Sequence, residues 1–517
     1  MAMRDLIEEL EERRAQTHLL GGERRIERQK QQGKLTVRQR VDLLFDPGTF
    51  EEVGQLVTHA HTSVPKSADK MTPADGVVTG FGRVDGRIVG VVSEDFTVLG
   101  GSVGNNNLIK KNRMVELAGR DRVPLVWFFD GAGARTDESI GGGLAPMHHF
   151  MAIAKLSGIV PQACAVMGPV AGDSALIAAM IEFIVMVKGT GMLAAGGPPL
   201  VLGATGETVD KEELGGSSVH CEISGVADNA ADDDADAINQ IRRFLSFLPL
   251  NAYSYPDRSE TSDDPDRMAE ELLDIIPENT RRPYDIHDVI DLVFDLGSFF
   301  EIKPDYAQMM VTGFARLDGH TVGIIANQPK VMAGAITAAA GSKQRHFMDL
   351  CNAFHVPIVA LMDTPGVMTG PKSEREGALR VGMTIAHSFA FARVPLLTVA
   401  LHKGIGYGAC AMGGYGAGQS TVLAWPTADF NAIPLESGIQ AAYRADLEAA
   451  DDPIALQAEL EAAFDHLLGA FHAAEQVKID DVIDPRETRP RLIAALDRAL
   501  NRRDEPASPA WRHGLLP

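Results

Sequence analysis

The features of this sequence best suited to chemistry are two kinds of glycine-rich turn, each following an apolar run. A run that ends in aspartate occurs twice, as DGAGAR at 130–135 and as DTPGVMTG at 363–370. A second run ends in small residues and continues as a helical stretch, as MGPVAGDSALIAA at 167–179 and HKGIGYGACAM at 402–412. A strand that leads through glycine into a helix N-terminus leaves backbone N–H groups without partners. Such groups stabilise an enolate or oxyanion, although close packing of helix on strand also selects glycine and alanine.

Few side chains in the sequence point to catalysis. Asp173 and Glu182 are candidates for a general acid or base, but a structural role fits each at least as well. His148 and His149 are neighbours, and neighbouring residues on a helix point to different faces, so we expect a half-exposed pair rather than ligands. The sequence contains no GxSxG or HExxH motif and therefore does not indicate a triad hydrolase or a zinc protease.

An internal repeat defines the organisation of the chain. VTGFGRVDGRIVG from Val78 aligns with VTGFARLDGHTVG from Val311, 233 residues later, with nine of thirteen positions identical. At the same offset, VPLVWFFDGAG from Val123 matches VPIVALMDTPG from Val356. Matches in the same order at constant offset predict a tandem duplication of a domain of roughly 200 residues, joined near 249–284.

The texture of the chain predicts an α/β fold. From about residue 75, short β-branched runs alternate with helical stretches rich in glycine, alanine and methionine, which is typical of βαβ units. Residues 3–32 are charged and poor in leucine, and we interpret them as one or two solvated helices that form an arm on a neighbouring subunit.

Charge and cysteine content exclude several classes of protein. The net charge of −22 over 517 residues argues against general binding to nucleic acid or anionic membranes, which needs a basic surface. The four cysteines lie far apart without a CxxC pair, which indicates a reducing compartment. The longest apolar stretch, around 178–187, is interrupted by Glu182 and is too short to span a bilayer. We therefore expect a cytoplasmic protein with no metal site.

With the repeat and the turns established, the sequence resembles the carboxyltransferase (β) subunits of biotin-dependent acyl-CoA carboxylases from about residue 30 to 500. The resemblance rests on DGAGAR and DTPG among the turns above and on GKLTVRQRVDLLFDPGTFEEVG (33–54), GGSVG (100–104), SGIVPQACAVMGPVAG (157–172), EELGG (212–216), HCEISGVAD (220–228), VGIIANQP (322–329), AWPTA (424–428) and IDDVIDPRETR (479–489). The number and order of these segments make the resemblance specific.

The resemblance implies two crotonase-like ββα-superhelix domains in tandem. It places an N-terminal helical arm at 1–35, an acyl-CoA domain at 36–260 and a biotin domain at 285–510. It also implies a hexamer, a trimer of dimers, in which the active site lies where the acyl-CoA domain of one subunit faces the biotin domain of another.

The resemblance assigns the first turn to the thioester. Gly172 and Asp173 would bind the thioester oxygen while the α-carbon is deprotonated to an enolate, and Ala171 would contact the bound CoA thioester. Biotin N1, made basic by losing CO2, is then the implied proton acceptor, so that no side-chain base is required.

The second turn is assigned to biotin. Gly408 and Ala409, preceded by Gly406 and Tyr407, would bind the ureido oxygen. Ala411 lies near the position where the family selects the acyl chain.

The phosphates of CoA require cations. Arg135 and either Lys110 or Lys111 are the candidates, with ordinary surface residues as an equal alternative.

Three departures from the family pattern concern the site. Relatives have AGG where this chain has Ala171-Gly172-Asp173, which places a carboxylate near a developing enolate. The second turn, GYGAC, is interpreted as one residue longer than the GGAY of propionyl-type relatives, which leaves its donors open by a residue or two. Ile433-Pro434-Leu435 replaces the usual Met-Gly after AWPTA, and proline removes an N–H beside the expected biotin pocket.

The sequence contains no Met-Lys-Met biotinylation motif and no nucleotide-binding segment, which implies a separate biotin carboxylase and biotin carrier subunit as partner. Three alternatives stay open. The first is a carboxyltransferase of a sodium-pumping decarboxylase. The second is a biotin-independent CoA-thioester hydratase, decarboxylase or hydrolase that uses Asp173 or Glu182. The third is a non-catalytic scaffold.

Overall fold

The computed structural model describes residues 3–60, 71–135, 138, 148–279, 282–414, 416, 418–465, 467–510 and 515. The chain divides into two compact units, the first formed by Met1–Ser254 with Ser508–Pro517 and the second by Tyr255–Ala507. The domain limits expected from the sequence stay a prediction.

The first unit has these strands: β1 Glu51–Glu52, β2 Val77–Val84, β3 Arg87–Glu94, β4 Leu125–Gly131, β5 Gln162–Ala171, β6 Phe183–Val187, β7 Met192–Ala194 and β8 Asn229–Ala231. Its α-helices are Met3–Thr17, Glu23–Gln31, Val37–Leu44, Asn105–Asp121, His148–Ala154, Asp173–Ala178, Pro198–Thr205, Lys211–Gly215 and Asp234–Phe247. Shorter 3-10 or π helices are Pro73–Gly76, Leu99–Gly101 and Ser218–Ile223.

The second unit has these strands: β9 Phe300–Ile302, β10 Met310–Leu317, β11 His320–Asn327, β12 Ile358–Thr364, β13 Leu396–Ile405, β14 Thr421–Ala424, β15 Asp429–Asn431 and β16 Asp481–Val482. Its α-helices are Ile286–Val293, Ala338–Ala353, Pro371–Arg375, Ala378–Ala390, Gly406–Ala411, Leu435–Ala442, Arg444–Ala449, Pro453–Asp465, Ala470–Glu475 and Thr488–Leu500. Shorter 3-10 helices are Glu270–Leu273, Met332–Gly334 and Pro485–Glu487.

Both units contain the same sheet. The first sheet has the order β1-β2-β3-β4-β5-β6-β8 with β7 paired to β5, and the second has β9-β10-β11-β12-β13-β14-β16 with β15 paired to β13. In each sheet the first three strands are antiparallel and the remaining pairs are parallel. The predicted α/β fold and its tandem duplication are therefore confirmed.

Parallel strands buried on both faces explain the continuous apolar runs of the sequence. Every residue of β4 is buried, and the rings of Trp127 and Phe129 stack with their centroids 5.6 Å apart. Gly168 in β5 lets this strand pass a buried carboxylate, because a Cβ at this position would lie 1.9 Å from Asp130 Oδ1. The Asp130 carboxylate is bound by Lys34 at 2.6 Å and Arg40 at 2.9 Å.

The ends of the chain add to the first unit. Met3–Thr17 and Glu23–Gln31 are helical and mostly exposed, as the charge pattern predicted, while their role as an arm on a neighbour stays a prediction. Leu515 bonds to Ser157, 358 residues earlier, with its N–H donating to Ser157 Oγ at 3.1 Å. Among the described residues, no helix is both long and apolar enough to cross a membrane.

Candidate functional site

The first glycine turn lies where β5 leads into a helix. Gly172 has φ 65° and ψ −125°, a conformation that is strongly unfavourable for residues other than glycine, and the helix begins at Asp173. No described atom lies within 4 Å of the position that a Cβ would occupy at Gly172. The turn therefore borders open space, as an oxyanion site requires.

The free donor at this turn is not the glycine. The Gly172 N–H donates to the carbonyl oxygens of Ala194 and Ala195, each at 3.2 Å, which anchors the turn to the segment after β7. The Asp173 N–H is the first of the following helix, where N–H groups have no intrahelical acceptor. Of the two predicted residues, Asp173 is the one positioned to donate.

The second turn has the same construction in the other unit. Strand β5 pairs Ala171 with Ala194 of β7, and β13 pairs Ile405 with Asn431 of β15. Both strands are ten residues long and end at these pairs. Gly406, with φ 57°, is therefore the structural equivalent of Gly172, and Tyr407 is the equivalent of Asp173.

By this register, the residues equivalent to Gly172 and Asp173 lie two positions before Gly408 and Ala409. Gly408 is the equivalent of Ser174 and is buried, and a Cβ there would lie 2.6 Å from Gly366 Cα. Its glycine is thus explained by packing against the DTPG turn. Ala409 follows inside the helix Gly406–Ala411, so the geometry favours Gly406 and Tyr407 as the donor turn. The comparison of this turn with the GGAY of propionyl-type relatives stays a prediction.

The cations expected to bind CoA phosphates have partners inside the first unit. Arg135 is buried, and its guanidinium binds Asp75 at 2.8 Å and Glu138 at 2.7 Å. The Lys111 ammonium binds Glu94 at 2.6 Å, and both side chains are almost fully buried. A phosphate would have to displace these carboxylates, so the geometry weighs against such a role.

Lys110 has a structural role that the duplication repeats. Its ammonium donates to Val77 O at 2.6 Å, and burial lowers the pKa of Lys110 to about 8. Lys343, 233 residues later, donates to Lys303 O at 2.7 Å and Tyr306 O at 2.9 Å. Because both lysines bond to backbone carbonyls near the start of a strand, we assign them to the fold and not to a ligand.

A buried ion pair beneath the first turn was missed from the sequence. Glu94 accepts hydrogen bonds from Lys111 Nζ at 2.6 Å and Ser174 Oγ at 2.7 Å with one oxygen, and from the Asp130 N–H at 2.9 Å with the other. Glu94 therefore links the Asp-Gly turn after β4 to the helix that carries Asp173.

The second unit has neutral amides at the same places. Asn327, the repeat partner of Glu94, accepts from the Asp363 N–H at 3.1 Å and donates to Gly334 O at 3.1 Å. Gln344, the repeat partner of Lys111, donates to Ala411 O. Ala411 is fully buried. The repeat offset is the sequence signal from which these positions could have been found.

Asp173 is paired with His149. Asp173 Oδ1 lies 2.8 Å from His149 Nε2, and the side chains are 20% and 2% exposed, respectively. The expectation that His148 and His149 form a half-exposed pair is wrong for His149, which is buried in the first unit. The carboxylate that departs from the family pattern thus has a cationic or hydrogen-bonding partner.

Glu182 lies at the other end of the strands from the first turn. It precedes β6, beside the start of β5, and its carboxylate accepts a hydrogen bond from the Gly158 N–H at 3.2 Å. The ten residues of β5 separate this end of the strands from Gly172 by about 30 Å. Burial raises the pKa of Glu182 to about 7. Its position excludes Glu182 from chemistry at the first turn.

A cavity of about 1000 Å³ lies beside the second turn. Its lining includes Asp363, His402, Lys403, Ile405, Asn431 and Pro434. Pro434 precedes the helix Leu435–Ala442, and its carbonyl accepts from the Gly438 N–H at 2.9 Å. Proline at a helix start removes an N–H that has no intrahelical partner. The departure at Ile433-Pro434-Leu435 therefore leaves the helix intact.

The chain is similar throughout its length to known carboxyltransferases. Residues 28–516 match the carboxyl transferase domain family. The propionyl-CoA carboxylase carboxyltransferase subunit of Haloferax mediterranei is 41% identical, over 100% of both chains. The methylmalonyl-CoA decarboxylase subunit alpha of Veillonella parvula is 38% identical, over 100% of this chain and 99% of the relative.

A solved structure extends the similarity to the fold. The crystal structure of the transcarboxylase 12S subunit, a hexamer with methylmalonyl-coenzyme A bound, has a TM-score of 0.93 and 38% identity, covering 100% of this chain and 99% of that chain. This match confirms the predicted fold class, and the sequence relatives confirm the predicted function class. The chain belongs to the carboxyl transferase family, as a carboxyltransferase of the biotin-dependent acyl-CoA carboxylase type.

Proposed function

We propose that this chain transfers a carboxyl group between carboxybiotin and the α-carbon of an acyl-CoA through two backbone oxyanion sites. The observation that carries the proposal is the duplicated turn: β5 and β13 are each followed by a glycine with positive φ at the start of a short helix. Carboxyl transfer develops negative charge on two oxygens, one on the thioester and one on the ureido group. The chain has one turn for each.

The first turn is assigned to the thioester. Gly172 is held by its bonds to Ala194 and Ala195 and borders open space, and the Asp173 N–H that follows it is the donor assigned to the thioester oxygen. A preorganised donor of this kind contributes typically about 3–4 kcal/mol to transition-state stabilisation. The donation strengthens as the thioester oxygen becomes an enolate oxygen, which is where catalysis requires it.

The second turn and its cavity fit biotin. The volume of about 1000 Å³ accommodates a bicyclic ureido group, and Ile405, Lys403 and Asn431 on its wall lie next to the turn. Bound biotin supplies the carboxyl group and, after losing it, a basic nitrogen. Gly406 and Tyr407 are the residues positioned to donate to the ureido oxygen.

The relatives support a small acyl group and an assembly with partners. Two relatives are named for propionyl-CoA or methylmalonyl-CoA, and we propose propionyl-CoA as the substrate. A hexamer and a separate biotin carboxylase and carrier subunit complete the proposal, in keeping with the hexamer of the 12S structure. The four free cysteines, three of them buried, agree with a cytoplasmic location.

A decarboxylase subunit is the second candidate. The relative from Veillonella parvula, which is similar to this chain over almost its full length, is named as a methylmalonyl-CoA decarboxylase subunit. The same two turns serve the reverse reaction, because the enolate and the ureido anion are the same in either direction.

The test is release of CO2 from methylmalonyl-CoA by the purified full-length chain, with and without free biotin. Biotin-dependent release supports carboxyl transfer, and release that is equal without biotin contradicts it. The acyl group is then ranked by the kcat/KM of propionyl-CoA, acetyl-CoA and longer thioesters in the carboxylation direction.

Substitutions in the turns test the two oxyanion sites. Gly172→Ala and Gly406→Ala force a side chain into positive φ, and we expect each to lower kcat at least tenfold. Gly203→Ala is the matched control, because Gly203 lies in the helix Pro198–Thr205 with no described atom within 4 Å of a Cβ and with ordinary φ. Equal activity of all three variants would remove the turns from the mechanism.

A further inference from the structure

We propose that Asp173 and His149 form an acid–base pair that exchanges a proton with the α-carbon of the acyl thioester in the absence of biotin. This inference rests on the proposed function, because that proposal places the thioester at the first turn. It adds an activity, enolisation by a side chain, to a reaction that otherwise relies on biotin for the base.

The geometry gives the two residues different roles. Asp173 is the first residue of the helix that follows Gly172, so its carboxyl group and its N–H belong to the same turn. Its side chain is 20% exposed, whereas that of His149 is 2% exposed. Asp173 can therefore touch a substrate, and His149, held 2.8 Å behind it, is a positioning residue.

Two buried atoms of the pair have no hydrogen-bond partner among the described residues. These atoms are Asp173 Oδ2 and His149 Nδ1. Buried polar atoms in folded proteins nearly always have a partner, so each of these two atoms requires an explanation. Because Asp173 Oδ1 is already bound to His149, Oδ2 is the oxygen left to accept a proton, and the inference requires the carboxyl group to turn this buried atom toward the thioester.

The proton transfer balances in charge. The α C–H bond breaks, its proton moves to Asp173 Oδ2, and its electron pair forms the enolate, whose charge lies on the thioester oxygen at the Asp173 N–H. The negative charge thus moves from the carboxylate to the enolate, so the two anions never lie side by side. In the reverse step the carboxylic acid returns its proton, or a deuteron acquired from solvent, to the α-carbon.

The position equivalent to Asp173 in the second unit has no carboxylate. Tyr407 occupies the position equivalent to Asp173, and its hydroxyl donates to Gly382 O at 2.7 Å. A tyrosine whose proton is held in this way is a poor base at neutral pH. The residue that follows the glycine is therefore an acid–base group at the turn assigned to the acyl thioester, where a carbon acid is bound.

The experiment is α-hydrogen exchange. The full-length chain is incubated with propionyl-CoA in D2O without biotin, and deuterium at the α-carbon is followed by mass spectrometry. We expect incorporation by the wild type, a rate at least 100-fold lower for Asp173→Asn, and an unchanged rate for His287→Gln. His287 is the matched control, because it pairs with Asp285 at 2.7 Å in the second unit.

The positioning role of His149 has its own readout. His149→Gln keeps a hydrogen-bond donor but cannot accept a proton, and we expect it to lower kcat for exchange about tenfold with KM unchanged and to alter the pH profile of the rate. A purely structural role predicts instead loss of folded protein with no change in the pH profile of what remains.

Three results would overturn the inference: no exchange by the wild type, equal exchange by Asp173→Asn, or an unaltered pH profile for His149→Gln. Asp173→Gly is the second variant, used if Asp173→Asn fails to fold, and it is expected to lose exchange as well. Biotin-dependent CO2 release is measured on the same proteins. If Asp173→Gly keeps this release while the wild type shows no exchange, the inference fails and the proposed function stands. If the wild type lacks biotin-dependent release, the proposed function itself fails.

Discussion

The buried pair of Glu94 and Lys111 gives the sharpest prediction about stability. The two groups lie 2.6 Å apart, and their side chains are 0% and 2% exposed. Removing one partner leaves an uncompensated buried charge, which typically costs about 3–5 kcal/mol. We therefore expect Lys111→Gln to lower the free energy of unfolding of the first unit by about this amount, and Glu94→Gln to do the same.

We expect the double variant to lose less free energy of unfolding than the sum of the losses of the two single variants. With Glu94→Gln and Lys111→Gln together, both charges are gone and two amides remain, as Asn327 and Gln344 do in the second unit. The coupling between the two substitutions should then exceed about 2 kcal/mol. A hydrogen bond from Ser174 to Glu94 is weakened in each case, which loosens the helix that carries Asp173.

The assay is urea unfolding followed by the fluorescence of Trp127, which is fully buried in the first unit. The chain has three tryptophans, so Trp425→Phe and Trp511→Phe in all four proteins leave Trp127 as the only reporter. If each single substitution costs less than about 1 kcal/mol, or if the two add within about 0.5 kcal/mol, the argument from buried charge is refuted.

Two further predictions concern pH. Glu182 has a folded pKa of about 7, above its ordinary value, so the folded state binds more protons than the unfolded state between about pH 4.5 and 7. The protein therefore loses stability as the pH rises through this range. Glu182→Gln should flatten this decline in the free energy of unfolding measured with urea, and an unchanged slope would contradict the prediction. His287 is bound by Glu301 at 2.9 Å and Asp285 at 2.7 Å, which raises its pKa to about 9. Its stabilisation is complete below about pH 6.5 and is lost through pH 9, so His287→Gln should destabilise the second unit at pH 6 and have little effect at pH 10.

The glycine turns could be predicted because their requirements are local. A positive φ at Gly172 and Gly406 restricts the residue type directly, and the sequence shows that restriction. The donor positions could not be predicted as well, because they depend on where β13 ends. That end is set by the pairing of Ile405 with Asn431, a contact between distant residues.

The fates of charged residues were the least predictable. The sequence does not show whether a lysine near a glycine turn binds a phosphate or a buried carbonyl. Only the burial of its side chain distinguishes these two roles, as for Lys110. The pairing of Asp173 with His149 was also hidden, because the two residues are 24 positions apart with a strand between them. The repeat offset is the exception, since it relates Lys110 to Lys343 by their spacing in the chain alone.

The contact between Ser157 and Leu515 has a consequence for synthesis on the ribosome. The first unit includes Ser508–Pro517, so this native contact forms only when the polypeptide has grown 358 residues beyond Ser157. Domains generally fold as they emerge, N-terminal first, and a contact of such high order is made late. The nascent first unit therefore lacks the contact between Ser157 and Leu515 while the whole second unit is translated. A chain cut after residue 254 would stay in that unfinished state.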